Sequence, residues 1–353
     1  MFGDVYAMTA IDLFAGAGGA TQGLKDAGFK VIGAVENNAA AAASYALNHG
    51  EVELWADDIR KVTATSVLDK LGLKPGQLTL LKACPPCQGF SSLAEGRVTV
   101  NEAQNDLVID TLRFVRALRP SAVMLENVPG LGRDARAERM LDALTHAGYV
   151  ARQYRVNAVQ FGVPQRRKRL IILALRGRRR TLPETLPADG LDSPTTVKSA
   201  FDELAEALNQ NPNDPLNVSR TLSPTVAARV EAVPINGNRF NLPPEHQLEC
   251  HKRVGTARSA TASYGRIKAD HPAPTMTTRC TTPACGSFIH PTEHRGITLR
   301  EAATIQTFPF DYRFSGSYGE IERQIGNAVP VRMAAVLGTV VSGLLRPMGA
   351  RAS

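Results

Sequence analysis

Ile11–Gly19 reads IDLFAGAGG, an apolar run that ends in glycines. A strand that breaks into such a turn and reopens as a helix lets a ligand approach the backbone, because glycine carries no Cβ and tolerates positive φ. The strict dinucleotide fingerprint is not met, since its third glycine position is Thr21. Twenty residues after Gly16, at the end of the next apolar run, stands Glu36, where a carboxylate can accept hydrogen bonds from ribose hydroxyls. Asp58-Ile59 follows a third short apolar run. These residues point to a nucleoside-containing cofactor and leave NAD, FAD and S-adenosylmethionine open. The plainer alternative is a tight structural turn with an incidental Glu.

Outward from that turn, the first 175 residues alternate short apolar runs with helical patterns, the signature of a doubly wound α/β sheet. Strands are expected at Thr9–Phe14, Val31–Val35, Gln77–Ala83, Ala122–Leu125, Val150–Val156 and Leu170–Leu175. Helices are expected at Ala20–Ala27, Asn38–Leu47, Asp106–Leu118 and Ala135–His146, the last entered through Asp134 as N-cap. After Arg180 prolines and asparagines accumulate, with one helix at Val197–Leu208 and then loops. Residues 229–300 are rich in Thr, Pro and Gly, and helices at Arg300–Thr307 and after Pro330 close the chain. A length of 353 residues with 43% hydrophobic content suits two globular domains and argues against disorder or a fibrous repeat. Five cysteines, an odd number, exclude a full disulfide framework and favour a reducing compartment. The start MFGDVYAMTAIDLFAG shows no basic leader, and Met333–Leu345 is too short to span a bilayer and reads as a packed helix. A cytoplasmic protein without membrane partners is expected.

The net charge of +8 is unevenly placed. Arg152–Arg180 holds nine arginines and Lys168 with no Asp or Glu, so the remainder of the chain sums to −2. A basic excess gathered in one segment is the footprint of a polyanion partner, and a solvated surface stretch is the bland alternative.

The fourth run leads into LKACPPCQGFSSL, and Cys87 then falls beyond a strand's carboxyl end, where open sheets bind ligands. A thiol fixed there by two prolines can be a nucleophile if its surroundings favour the thiolate. Cys84 and Cys87 also form C-x-x-C, and with His49-Gly50-Glu51 upstream a zinc nucleobase deaminase must be weighed. Ala83 at the required proline and the setting of His49 after a helix both argue against it. Cys280, Cys285 and His290 lack a standard zinc spacing, and no metal site is expected. The next run ends in Leu125-Glu126-Asn127-Val128-Pro129, and a carboxyl one crevice from Cys87 could donate a proton or hydrogen bond to a ring nitrogen. In Gln165-Arg166-Arg167-Lys168-Arg169, strand alternation would project Gln165, Arg167 and Arg169 from one face, suiting phosphate or base-oxygen contacts.

Taken together, DLFAGAGG, Glu36, Asp58-Ile59, PPCQGFS, ENV, QRRKR and the late QIGNAVP resemble the DNA (cytosine-5)-methyltransferase family of bacterial and phage restriction-modification type, in family order. The resemblance covers residues 9–175 and 272–335; Cys84 stands where the family usually has a small residue. It implies a Rossmann-like, S-adenosyl-L-methionine-dependent α/β fold, with a catalytic domain of 1–180 plus 318–353 and a smaller target-recognition domain of 181–317. It implies that the Cys87 thiolate adds to carbon 6 of a flipped-out cytosine, that Glu126 engages N3, and that Arg167 and Arg169 hold the base and the adduct. Carbon 5 then takes the sulfonium methyl group, and loss of its proton releases the enzyme. On the cofactor side, Phe14 would pack on S-adenosylmethionine, Gly16, Gly18 and Gly19 would line its amino-acid end, Glu36 the ribose, Asp58 and Ile59 the adenine, and Asn327 would close the site.

Double-stranded DNA is the implied substrate, with a monomeric enzyme and a cognate restriction endonuclease acting separately. Arg229, Arg239, Lys252, Arg253, Arg258, Arg266 and Lys268 are candidate phosphate or guanine contacts. A transfer-RNA methyltransferase of the same family is the nearest rival, and its Cys-Phe-Thr motif is absent.

Overall fold

Seven strands form one sheet in the order β3-β2-β1-β4-β5-β7-β6 in the computed structural model, which describes residues 8–86, 107–187, 195–248 and 262–346. The strands are β1 Thr9–Leu13, β2 Lys30–Val35, β3 Glu53–Trp55, β4 Leu80–Ala83, β5 Ala122–Asn127, β6 Tyr149–Asn157 and β7 Lys168–Arg176. β1 to β5 pair in parallel, whereas β7 inserts antiparallel between β5 and β6. The order reverses between β1 and β4, and the crevice at such a switch point is where open α/β sheets take ligands. β4, β5 and most of β7 are buried on both faces and read as continuous apolar runs.

The helices of this part are α1 Gly19–Asp26, α2 Ala39–Asn48, α3 Ala64–Leu71, α4 Leu107–Leu118 and α5 Ala135–His146. Each start has a local cause where a cap is formed: Asn38 accepts from Ala41 N, Thr63 from Ser66 N and Asp134 from Arg136 N. α3 goes beyond the expected helices, although Thr63 and the left-handed Gly72 (φ 63°) mark both of its ends. Further along lie α6 Val197–Gln210, α7 Pro224–Ala232, α8 Leu299–Ile305, α9 Tyr318–Asn327 and α10 Val331–Leu345. α7 and α9 were also not expected, being short and set among loop-forming residues.

Contacts divide the chain into two units. The first comprises Met1–Asn157, Lys168–Gly190 and Val331–Ser353; the second Ala158–Arg167 and Leu191–Pro330. Residues 158–167 and 318–330, expected with the sheet, group with the second unit. The cause at 158–167 is backbone pairing: Gln165 bridges Ala273, Ala273 N donates to the Pro164 carbonyl and Arg166 N to the Ala273 carbonyl. In the first unit α10 packs on α1, and glycine permits the approach: a Cβ on Gly23 would run into the Val331 carbonyl oxygen, and one on Gly338 would lie 2.8 Å from the Ala27 Cβ. Tyr318–Leu345 is the one described stretch long and apolar enough to cross a membrane, with mean hydropathy 1.7. It is interrupted at residues 328–330, and α10 buries Met333, Ala334, Leu337 and Val341, as a core helix does. The second unit has its own small core of Val230, Val233, Leu242, Tyr264 and Ile289.

Candidate active site

Beyond β1 the backbone turns through left-handed conformations at Phe14 (φ 59°), Gly16 (φ 59°) and Gly18 (φ 96°) before α1 begins at Gly19. Phe14 has a Cβ and is strained there, a cost usually retained at functional turns. The turn is clamped to β2, because Ala15 N donates to the Val35 carbonyl at 3.0 Å and Gly16 N to Glu36 Oε2 at 2.8 Å. The other Glu36 oxygen accepts from Asn38 N at 2.7 Å. Burial pushes this carboxyl above the usual carboxylate range, with the Asn38 and Gly16 N–H groups pulling the other way. A Cβ built on Gly16 meets nothing within 4 Å, so there is open space in front of the turn. Open space against bare backbone, beside an acid with lone pairs left, fits the amino-acid and ribose parts of a nucleoside cofactor. Asp58 holds Arg60 through both carboxylate oxygens and Ile59 is buried. The Arg60 guanidinium and N–H bring the Asp58 carboxyl down to about 2. Arg113, from α4, donates to the Ile59 and Val62 carbonyls and fixes this loop, a role with no local sequence signal.

At the carboxyl ends of β4 and β5, Glu126 is 5% exposed. Its Oε1 lies 2.7 Å from Arg169 Nε, and its Oε2 accepts from the Cys84 thiol at 2.8 Å. Asn127 Nδ2 donates to the Pro85 carbonyl at 3.1 Å, tying the start of the Pro-Pro-Cys loop to β5. Cys87 itself lies outside the described residues. Deeper on the same sheet, Lys82 Nζ lies 2.8 Å from Asp12 Oδ1, and both side chains are buried. Asp12 Oδ2 accepts from Thr21 Oγ1 at 2.8 Å, which connects this ion pair to α1 behind the glycine turn. Neither Asp12 nor Lys82 was singled out from sequence; the visible signal was a lysine inside an otherwise apolar central strand.

Two expectations need correction. Gln165, Arg167 and Arg169 do not share a strand face. β7 begins only at Lys168, and Gln165 and Arg167 belong to the second unit. There Arg167 Nη1 donates to the carbonyls of Met276 (3.0 Å) and Gly326 (3.2 Å), next to Asn327 at the end of α9. Gln165 Nε2 donates to Gln306 Oε1 at 2.7 Å, and Gln165 Oε1 accepts from Met276 N. The backbone leaves the sheet after Asn157, so strand alternation does not apply before residue 168.

The basic segment is likewise not one patch. Arg176 donates to the Gly76 carbonyl and Arg180 to the Leu344 carbonyl, while Arg167 and Arg169 are held as above. Arg155 and Lys168 are exposed near the end of β6 and β7 that pairs with the Glu126 end of β5. Arg178 and Arg179, also exposed, follow the opposite end, about 27 Å away by strand rise.

The chain matches the family described as C-5 cytosine-specific DNA methylase over residues 8–342. It belongs to that family. Among relatives of this methylase, Type II methylase M.HgiDII of Herpetosiphon aurantiacus is 31% identical, with 97% of each chain covered. Type II methyltransferase M.PspPI of a Psychrobacter species is 31% identical over 95% of this chain and 79% of its own. In fold, it resembles a putative DNA modification methyltransferase encoded within an Escherichia coli prophage, with TM-score 0.69, 24% identity and 96% and 99% coverage. Entamoeba histolytica methyltransferase EhMeth gives TM-score 0.63 at 14% identity, with 96% and 99% coverage.

Membership of the DNA methylases makes the enzyme S-adenosylmethionine-dependent and sets the deaminase reading aside. The methylase's His49 places its ring nitrogens against Lys25 Nζ (2.8 Å) and the Gly18 carbonyl (3.3 Å), and burial with that lysine brings its pKa down to about 4. Cys280 is buried, its thiol pushed well up by burial, and Cys285 is exposed.

Proposed function

We propose that this methylase transfers the methyl group of S-adenosyl-L-methionine to carbon 5 of a flipped-out cytosine in a specific double-stranded DNA sequence, with Cys87, Glu126, Arg167 and Arg169 as its working residues. The observation that carries the reading is Glu126, buried at the end of β5 with the Cys84 thiol donating to Oε2 and the Arg169 guanidinium paired with Oε1, where Cys84 opens the sequence Cys84-Pro85-Pro86-Cys87. Carbon 5 of cytosine is a poor nucleophile. The Cys87 thiolate adds to carbon 6 and gives carbon 5 enamine character; Glu126 holds the proton or hydrogen bond at N3 as charge develops. Arg169 orients that carboxyl, and Arg167 steadies the segment leading into β7. Phe14, Gly16, Gly18, Gly19, Glu36, Asp58, Ile59 and Asn327 would hold the cofactor, which would supply an electrophilic sulfonium methyl and leave as the neutral thioether; loss of the carbon 5 proton to base and of the Cys87 sulfur from carbon 6 would then restore the ring and the thiolate. Flipping the base costs a few kcal/mol, offset by pocket and backbone contacts. The direct test is to incubate plasmid DNA with the protein and S-adenosylmethionine and map 5-methylcytosine base by base. Methylation confined to one cytosine of a short recurring sequence is expected; unmodified plasmid overturns the reading.

The likeness to Type II methylases supports a modification role in a restriction-modification system, acting as a cytoplasmic monomer apart from its endonuclease. The Leu191–Pro330 part selects the sequence. Of its candidate bases, Arg229 donates to the His246 carbonyl, Arg266 to four backbone carbonyls, and Arg239 is buried and stacked on Phe240, which leaves the exposed Lys268 as the better candidate. Lys252, Arg253 and Arg258 lie outside the described residues.

Two outcomes follow from the site. Glu36→Gln is expected to weaken S-adenosylmethionine binding by about tenfold or more, the effect of losing a charged acceptor. Because burial raises the Glu36 carboxyl, wild-type affinity falls as pH drops through a value above the usual glutamate range. Calorimetric titration from neutral to mildly acidic pH reads both effects, and a flat profile argues against a ribose role. For DNA, Arg155→Ala and Lys168→Ala should each weaken binding and lower the salt slope by about one. Arg178→Ala and Arg179→Ala should do neither, as fluorescence anisotropy across a salt series will show.

A further inference from the structure

Cys84 directly follows the strand register that sets β4 beside β5, where Lys82 faces Met124 and Ala83 faces Leu125. Its N–H donates to the Leu13 carbonyl at 3.2 Å, so the backbone is still held to β1 at the residue where the Pro-Pro-Cys loop departs. The next step in register brings the Cys84 side chain to Glu126, and Sγ lies 2.8 Å from Oε2. The opposite oxygen, Oε1, has Arg169 Nε at 2.7 Å. A glutamate's terminal torsion is broad and roughly two-fold, so an ion pair alone leaves the carboxyl plane free to swing. The Arg169 ion pair at Oε1 is not a hydrogen bond, so the thiol at Oε2 is the directional partner that restrains that plane, and a thiol, a weak donor to neutral acceptors, gains strength against a carboxylate.

We propose that Cys84 is a positioning residue for methyl transfer: its thiol donates to Oε2 while Arg169 holds Oε1, and the two together set the direction in which Glu126 meets the cytosine ring. This rests on the reading of Glu126 as the group that engages N3. A hydroxyl at residue 84 can make the same donation; a methyl or isopropyl group cannot.

The test compares Cys84→Ser, Cys84→Ala and Cys84→Val in the full chain, with kcat and the KM for DNA and for S-adenosylmethionine measured separately by tritiated methyl transfer. Cys84→Ala and Cys84→Val are expected to lower kcat by about tenfold, the worth of one charge-assisted hydrogen bond, with both KM values within about twofold. Cys84→Ser should return to within about threefold of the wild type. If the thiol only fills space, serine will behave like alanine and valine will be the better replacement, which overturns the proposal, as does wild-type turnover by Cys84→Ala. Glu126→Gln, run alongside, separates the two readings. Its expected loss of about a hundredfold together with an unaffected Cys84→Ala removes only the role of Cys84. Wild-type turnover by Glu126→Gln removes the role of Glu126, and that of Cys84 with it.

Discussion

Cys87→Ala is expected to lower methyl transfer by on the order of ten-thousandfold or more while leaving S-adenosylmethionine affinity within about twofold. The size follows from the chemistry: without addition at carbon 6, carbon 5 of an aromatic ring has no enamine character with which to meet an electrophilic methyl. Pocket and backbone contacts cannot replace a missing covalent bond. The selectivity follows from the fold. The turn that would hold the cofactor is built on β1 and β2 and clamped by Glu36, whereas Cys87 follows β4 in sequence, four residues after Ala83. Cys84 and Pro85 are anchored independently, Cys84 N to Leu13 and the Pro85 carbonyl to Asn127, so the substitution does not release them. Single-turnover transfer of a tritiated methyl group and calorimetric binding of the cofactor measure the two quantities separately. Retained turnover would sink the covalent mechanism, and lost cofactor binding would show that the loop supports the β1 turn as well.

The largest stability effect is expected at Asp12. Its carboxylate and the Lys82 ammonium form an ion pair with neither side chain more than 2% exposed. Burial opposes the Lys82 charge, but Asp12, Cys84 and Glu126 outweigh it and raise the Lys82 pKa above its ordinary value. The contribution of the raised lysine is therefore complete at neutral pH and is lost only as the solution becomes strongly alkaline. Asp12→Ala leaves a buried ammonium without its counter-ion, which costs about 3–5 kcal/mol. It also removes the acceptor for Thr21 Oγ1, so the N-terminal turn of α1 is loosened at the same time. Thermal unfolding should show a large drop in midpoint for Asp12→Ala. Replacing both partners, Asp12→Leu with Lys82→Met, should recover most of it, because two apolar side chains bury without a desolvation cost. If the double variant is no better than Asp12→Ala, the pair is needed for its charge and not merely tolerated.

Much of this was legible along the chain. Six of the seven strands were expected within a few residues of where they lie, because buried strands in a parallel sheet are continuous apolar runs bounded by polar turns. α5 begins and ends as expected, Ala135–His146, since Asp134 caps it and its apolar spacing is regular. The glycine turn and the position of Glu36 at the end of the next strand were legible too, whereas the hydrogen bond from Gly16 N to Glu36 came only from the fold.

The arginines show the opposite case. Arg167 and Arg169 are two residues apart, yet one is bound to the carbonyls of Met276 and Gly326 and the other to Glu126. Which way each points depends on where β7 begins, and that is decided by pairing with Ala273, over a hundred residues away. The nine arginines and one lysine of 152–180 looked like a single basic field because sequence places them together; an antiparallel strand pair carries exposed Arg155 and Lys168 to one end and leaves exposed Arg178 and Arg179 beyond the other. Lys82 and Cys84 gained meaning only from β1 and β5, which bring Asp12 and Glu126 against them. By itself, then, the sequence determined the strands, the glycine turn and the set of reactive side chains, all of which depend on local periodicity and backbone freedom. Only the tertiary structure decided which charges are paired and which face outward, because those partners come from distant parts of the chain and are chosen by sheet order and register.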